Sequence, residues 1–146
     1  MKTGKFCIAS DHGGFALKEK VIMHLSELGI DAEDLGCFSE ESVDYPQYGK
    51  MIGEAVASGK FDYGIALCGT GIGISIAANK VRGVRCALCP STEMASLAAR
   101  HNNANIIALG GRTTPPEQAF EIIDTWRNSE FEGGRHKRRT DQLDAM

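Results

Sequence analysis

The stretch Ile65-Ala66-Leu67-Cys68-Gly69-Thr70-Gly71-Ile72-Gly73-Ile74-Ser75 constrains this chain most. An apolar run stops at a cysteine, glycines follow at alternate positions, and Ile74 to Asn79 continues in a helix-compatible pattern. The reading is strand, tight turn, helix N-terminus. Glycines let backbone N–H groups turn inward, and the helix dipole adds partial positive charge. Such a turn suits an anion, or an oxygen that becomes anionic during a reaction. Cys68 stands at its edge, where a thiol tends to react as the thiolate. The plainer alternative is a glycine-rich turn with a buried, inert cysteine.

Better-known turns of this kind do not fit. A P-loop needs Lys after its last glycine, and none follows here. The dinucleotide fingerprint needs a third glycine at position 74, which is Ile, and belongs in the first strand–helix turn. Gly73-Ile74-Ser75-Ile76-Ala77 approaches a nucleophile elbow, but it ends in Ala and sets Ser75 inside the helix.

The same alternation runs through the chain. Lys5 to Ser10 reads as a first strand, broken by Asp11-His12-Gly13-Gly14. Phe15 to Leu28 has helical spacing and Gly29 closes it. Ile30 to Leu35 is a weaker strand, Gly36 to Pro46 a loop, and Tyr48 to Ala57 a helix. Tyr63 to Leu67 leads into the glycine turn, and a short helix covers Ile74 to Asn79. Gly83 to Leu88 is a fourth strand, followed by a helix from Ser91, its N-cap, to Arg100. Ile106 to Leu109 is a fifth strand, and Pro115 to Trp126 a helix with Pro in its first turn. Strands alternating with helices call for a parallel sheet covered on both faces. The expectation is an α/β fold: one Rossmann-like three-layer domain over residues 1–146, a five-stranded parallel sheet and a C-terminal helical tail. In a strand order 2-1-3-4-5, strands one and three adjoin. The Asp11-His12-Gly13-Gly14 and Cys68–Gly71 turns then face each other across the crevice where ligands bind.

Composition excludes several classes. A net charge of -3 does not favour general polyanion binding, so no nucleic-acid partner is expected. No apolar stretch approaches the ~20 residues of a membrane span, and the first residues do not read as a signal peptide. The five cysteines, an odd number, stand mostly in apolar runs, which fits reduced thiols in a cytoplasmic protein. Cys86-Ala87-Leu88-Cys89 lacks the second pair or histidine of a zinc site, and lies in a strand rather than opening a helix. In the tail, Arg135 and Arg139 share a helix face and suit a phosphate, with a solvated basic end as the alternative.

Ser10-Asp11-His12-Gly13-Gly14, Asp44-Tyr45-Pro46, Cys68-Gly69-Thr70-Gly71-Ile72-Gly73, Ala77-Ala78-Asn79-Lys80, Arg100-His101-Asn102 and Gly133-Gly134-Arg135-His136 together resemble the ribose-5-phosphate isomerase B family, whose wider group includes galactose-6-phosphate isomerase subunits. The resemblance implies interconversion of D-ribose 5-phosphate and D-ribulose 5-phosphate through an enediolate, in the pentose phosphate pathway, without metal or organic cofactor. The alternatives are another sugar phosphate (galactose or allose 6-phosphate, or a tetrose 4-phosphate) and a non-catalytic sugar-phosphate-binding protein. It makes Cys68 the base between C2 and C1, with Gly69, Thr70, Gly71, Ile72 and Gly73 donating N–H groups to the enediolate. It makes His101 the acid that opens the furanose ring. Asp11 would contact sugar hydroxyls and assist ring opening, Thr70 would help move protons between O1 and O2, and Asn102 would bind hydroxyls. His12, Arg112, Arg135 and Arg139 match the phosphate group, and Tyr45 lies in the substrate loop. The resemblance also implies a homodimer or homotetramer with shared active sites, the tail from about 131 to 146 reaching a partner subunit.

Overall fold

The segments β1 (Phe6–Ser10), β3 (Tyr63–Cys68) and β5 (Ile106–Gly110) are apolar at nearly every position and almost wholly buried, as strands covered on both faces must be. The computed structural model describes residues 1–146. Around those strands lie α1 (Phe15–Glu27), β2 (Glu33–Asp34), α2 (Tyr45–Ala57), α3 (Ile72–Asn79), β4 (Cys86–Leu88), α4 (Thr92–Arg100), α5 (Pro116–Asn128) and α6 (Arg135–Asp144). All five strands are parallel, in the order β2-β1-β3-β5-β4.

The expected adjacency of strands one and three holds, but the order 2-1-3-4-5 is corrected: β5 is inside and β4 is the edge. Burial accounts for the exchange. β5 offers five buried residues to both faces, whereas the three residues of β4 stay partly exposed and suit an edge. Several bounds also move. α3 begins at Ile72 rather than Ile74, α2 at Tyr45 rather than Tyr48, and β4 at Cys86 rather than Gly83. β2 keeps only Glu33 and Asp34 of the expected strand.

The sheet is the middle of three layers. On one face, α1, α4 and α5 enclose a core that includes Ile8, Leu25, Ile65, Leu67, Leu109 and Trp126. On the other, α2 and α3 close over Ile52, Ala66, Ile74 and Ala108. The periodicity of α5 shows how sequence becomes packing: Ala119, Ile122, Ile123 and Trp126 recur at helical spacing and none is exposed. Burying each larger side chain of that stripe stabilises the fold by about 1.5–3 kcal/mol. Trp126 also donates its Nε1–H to the Ala104 carbonyl at 3.1 Å, so its polar atom is satisfied. Ser91 caps α4 as expected, accepting from the Met94 N–H at 3.2 Å.

Candidate active site

Register decides which side chains meet. Ser10 pairs with Leu67, and Cys68 with Gly110, so the turns after β1, β3 and β5 stand side by side at the carboxyl edge of the sheet. They approach closely. A Cβ on Gly13 would lie 3.0 Å from the Gly69 nitrogen, and one on Gly111 only 2.5 Å from the Gly13 carbonyl oxygen. Glycine is required where backbones come this near.

The turn after β3 holds Cys68 in a definite environment. The Gly71 N–H donates to the Cys68 sulfur at 3.1 Å. Gly71 takes φ +81° as the N-cap of α3, a left-handed conformation that aims this N–H back at the strand end. The Ile72 N–H donates to Thr70 Oγ1 at 3.2 Å, leaving the threonine O–H free to donate. The N–H groups of Gly69, Thr70 and Gly73 donate to no acceptor in the chain. Of the five expected donors, Gly71 is thus engaged by the sulfur and Ile72 by the hydroxyl, and the other three remain unengaged beside the thiol.

Neighbouring turns surround this one. Asp11 is buried, and its Oδ1 accepts from the N–H groups of Gly13 and Gly14 at 2.9 and 3.1 Å. These two bonds form an Asx turn, and Oδ2 stays available to a hydroxyl. His12 accepts the Val43 N–H on Nδ1 at 3.1 Å, which puts the proton of the neutral ring on Nε2. Arg112 donates its backbone N–H to the Gly69 carbonyl at 2.9 Å, and its guanidinium lies over Gly69. Tyr45, at the start of α2, sets its ring against Gly73, where a Cβ would meet the ring at 2.6 Å. Asp11, His12, Tyr45, Cys68 to Gly73 and Arg112 thus form one cluster.

His101, Asn102, Arg135 and Arg139 do not join it. His101 follows α4, which returns the chain to the amino edge of the sheet before β5 begins. Ile106, which opens β5, is level with Gly64, four residues before Cys68. At the strand rise, that is about 13 Å from the level of the sulfur. The tail lies at the same end: α6 is tied to the residues before β4 by Arg85 to Asp144 at 2.7 Å and by Arg82 to the Ala145 carbonyl at 3.2 Å. The His136 ring stacks on His101, with centroids 4.1 Å apart and planes within 8°. Glu132 stands beside both rings, 3.7 Å from His101 Nε2 and 3.6 Å from His136 Nε2. Sequence reasoning gave Glu132 and His136 no role, although His136 stands inside the quoted Gly133-Gly134-Arg135-His136 motif. The one signal is a histidine set between arginines on a helix that must bury some face. A concavity of about 660 Å³ among Lys2, Lys5, Asp31 and Lys60 touches none of the predicted site residues.

The sequence profile of the Ribose/Galactose Isomerase family matches residues 6–143. The chain belongs to this family. It is 43% identical over 142 residues to ribose-5-phosphate isomerase B of Escherichia coli (strain K12), covering 97% of this chain and 95% of that protein. Among solved structures, a ribose 5-phosphate isomerase from Thermotoga maritima superposes with a TM-score of 0.95 at 52% identity, over 99% of this chain and all (100%) of the other. Ribose-5-phosphate isomerase B from Mycoplasma genitalium, solved with bound ribulose-5-phosphate, gives a TM-score of 0.92 at 38% identity over 97% of this chain and 94% of that one. The family's five-stranded, single-domain α/β fold is thus shared over nearly the whole chain.

Proposed function

We propose that this chain is an aldose–ketose isomerase that interconverts D-ribose 5-phosphate and D-ribulose 5-phosphate through an enediolate. The observation that carries the reading is the turn after β3: a cysteine sulfur that accepts a backbone N–H, beside three unengaged N–H donors. The Cys68 thiolate removes the proton from C2 of the open-chain aldose. Electron density moves onto O1, giving an enediolate with its charge over O1 and O2. The thiol then returns the proton to C1, which yields the ketose and restores the thiolate. The N–H groups of Gly69, Thr70 and Gly73 oppose the developing charge, and donors of this kind are worth about 3–4 kcal/mol each in a transition state. The Thr70 hydroxyl carries protons between O1 and O2, and Asp11 Oδ2 receives a sugar hydroxyl. The ribulose-5-phosphate in the Mycoplasma genitalium relative supports the choice of sugar.

The working site is assembled from two subunits. Cys68, Asp11, His12, Tyr45 and Arg112 come from one. His101, Asn102, Arg135 and Arg139 come from its partner, because one chain holds the two sets at opposite edges of its sheet. His101 of the partner subunit opens the furanose ring by protonating the ring oxygen, and the arginines with His12 Nε2–H take the phosphate. A homodimer is the smallest assembly this arrangement allows. All five cysteines are free thiols, which fits work in a reducing compartment such as the cytoplasm. No helix is long and apolar enough to cross a membrane.

The test is incubation of the EDTA-treated protein with ribose 5-phosphate in deuterated water, followed by NMR. The reading expects ribulose 5-phosphate with solvent deuterium at the reacting carbons. The family's span over ribose and galactose isomerases favours six-carbon phosphates as the second substrate class. Turnover of these, or of a tetrose 4-phosphate, with none of ribose 5-phosphate would change the sugar and keep the chemistry. Binding without product or exchange for any of them would overturn the enzyme reading.

A further inference from the structure

Glu132 in the tail is held twice by Arg100. Its N–H donates to the Arg100 carbonyl at 3.0 Å, and its Oε2 accepts from Arg100 Nε at 2.7 Å. The carboxylate is therefore clamped to the end of α4 through main chain and side chain together. Its other oxygen faces two imidazoles at once, His101 Nε2 and His136 Nε2. His136 is nine-tenths buried, and its Nε2 has no hydrogen-bond partner in the chain. These three ligand atoms lie within 4.8 Å of one another. A metal is nevertheless poorly served: rings parallel within 8° set their nitrogens side by side instead of aiming them at one point. The arrangement suits one carboxylate serving a stacked pair of imidazoles.

The charges around the pair are unequal. The hydrogen bond from Arg100 holds the Glu132 carboxyl below the usual range, so it is an anion at neutral pH. Burial pushes His136 down, helped by His101, Arg135 and Arg139 and opposed by Glu132, so its ring is neutral there. The groups facing the pair are Arg100 from α4, Glu132 from the segment before α6, and Arg135 and Arg139 from α6. Arg85 is engaged one step away by the carbonyls of Asn102 and Asn103. Of the two rings, His101 is the more exposed.

We infer that Glu132 and His136 are positioning residues for His101: the carboxylate keeps this imidazole oriented as the ring-opening acid, and the His136 face fixes its plane. The inference rests on the reading of His101 given above. It predicts that the pair matters to ring opening and not to proton transfer at carbon.

Two substrates separate these steps. Ribose 5-phosphate must be opened from its furanose. Erythrose 4-phosphate cannot form a furanose, because its O4 carries the phosphate. Glu132→Gln is expected to lower kcat on ribose 5-phosphate at least about tenfold with little change in KM. Its turnover of erythrose 4-phosphate stays within about twofold. His136→Phe keeps the stacked face and stays within about threefold, whereas His136→Ala falls with Glu132→Gln. Unchanged erythrose 4-phosphate turnover certifies that each variant is folded. If Glu132→Gln slows both substrates equally, the inference is overturned while the His101 assignment stands. If His101→Ala itself fails to separate the two substrates, the acid assignment falls and the inference with it.

Discussion

Cys68 and Cys89 both stand where a strand of one parallel sheet gives way to a helix, and both are buried. Their surroundings differ in the residues that follow. After Cys68 come Gly69, Thr70 and a left-handed Gly71, whose N–H donates to the sulfur. After Cys89 comes Pro90, which has no N–H, and the thiol turns back to donate to the Ala87 carbonyl at 3.5 Å. Burial pushes the Cys89 thiol up to about 12, and Cys7 likewise to about 12. Cys86 is raised too, by burial and by Cys89 beside it. A strand end with a cysteine is thus not yet a reactive site. The following turn decides whether the sulfur receives hydrogen bonds or gives them, and that difference separates the candidate base from its inert counterparts.

The largest effect that can break this contrast is removal of each sulfur. Cys68→Ala is expected to lower kcat by about 10³-fold while sugar-phosphate binding persists, as loss of a general base does. Cys89→Ala should leave kcat within about twofold. Steady-state kinetics with binding calorimetry checks both, and equal losses would remove the distinction. A smaller effect is expected at Gly71. A Cβ there would lie 2.7 Å from Leu88 Cδ1 and 2.9 Å from the Leu109 carbonyl carbon, at φ +81°. Gly71→Ala should displace the N–H from the sulfur and lower kcat about 10²-fold, with KM less affected.

The smallest effect concerns stability. Cys7 and Cys89 are raised from 9.0 to about 12 in the folded chain, so between those values the native state holds protons the unfolded chain has lost. Stability is then full below about pH 9 and falls as pH rises toward 12. Lys2, lowered by burial to about 8, works the other way between there and 10.5, one group against three thiols. Urea midpoints should therefore fall above pH 9.5, and Cys89→Ala should flatten that fall.

The turn after β3 was legible in the sequence because an apolar run, a cysteine and spaced glycines leave few other conformations. The start of α3 was not: Ile72 and Gly73 read as loop, and only the packed turn makes them the first helical residues. The exchange of β4 and β5 was also hidden, since neighbours in a sheet are chosen by tertiary burial. The separation of His101 from Cys68 was half-legible. A residue that follows a strand in such a fold stands at the carboxyl edge, as Arg112 does, and one that follows a helix stands at the other. The stack of His136 on His101 depends on the tail folding back across Arg100, which no local pattern announces.

In the proposed function, Cys68 works with His101 of the partner subunit. The direct measurement mixes two inactive variants, Cys68→Ala and His101→Ala, by unfolding and refolding them together, and assays ribose 5-phosphate isomerisation. A shared site predicts recovery. Half of the refolded dimers are hybrids, each with one site built from an intact Cys68 and an intact His101, giving about a quarter of native activity. No recovery, with hybrids confirmed by native mass spectrometry, would contradict the shared site and return both residues to one chain.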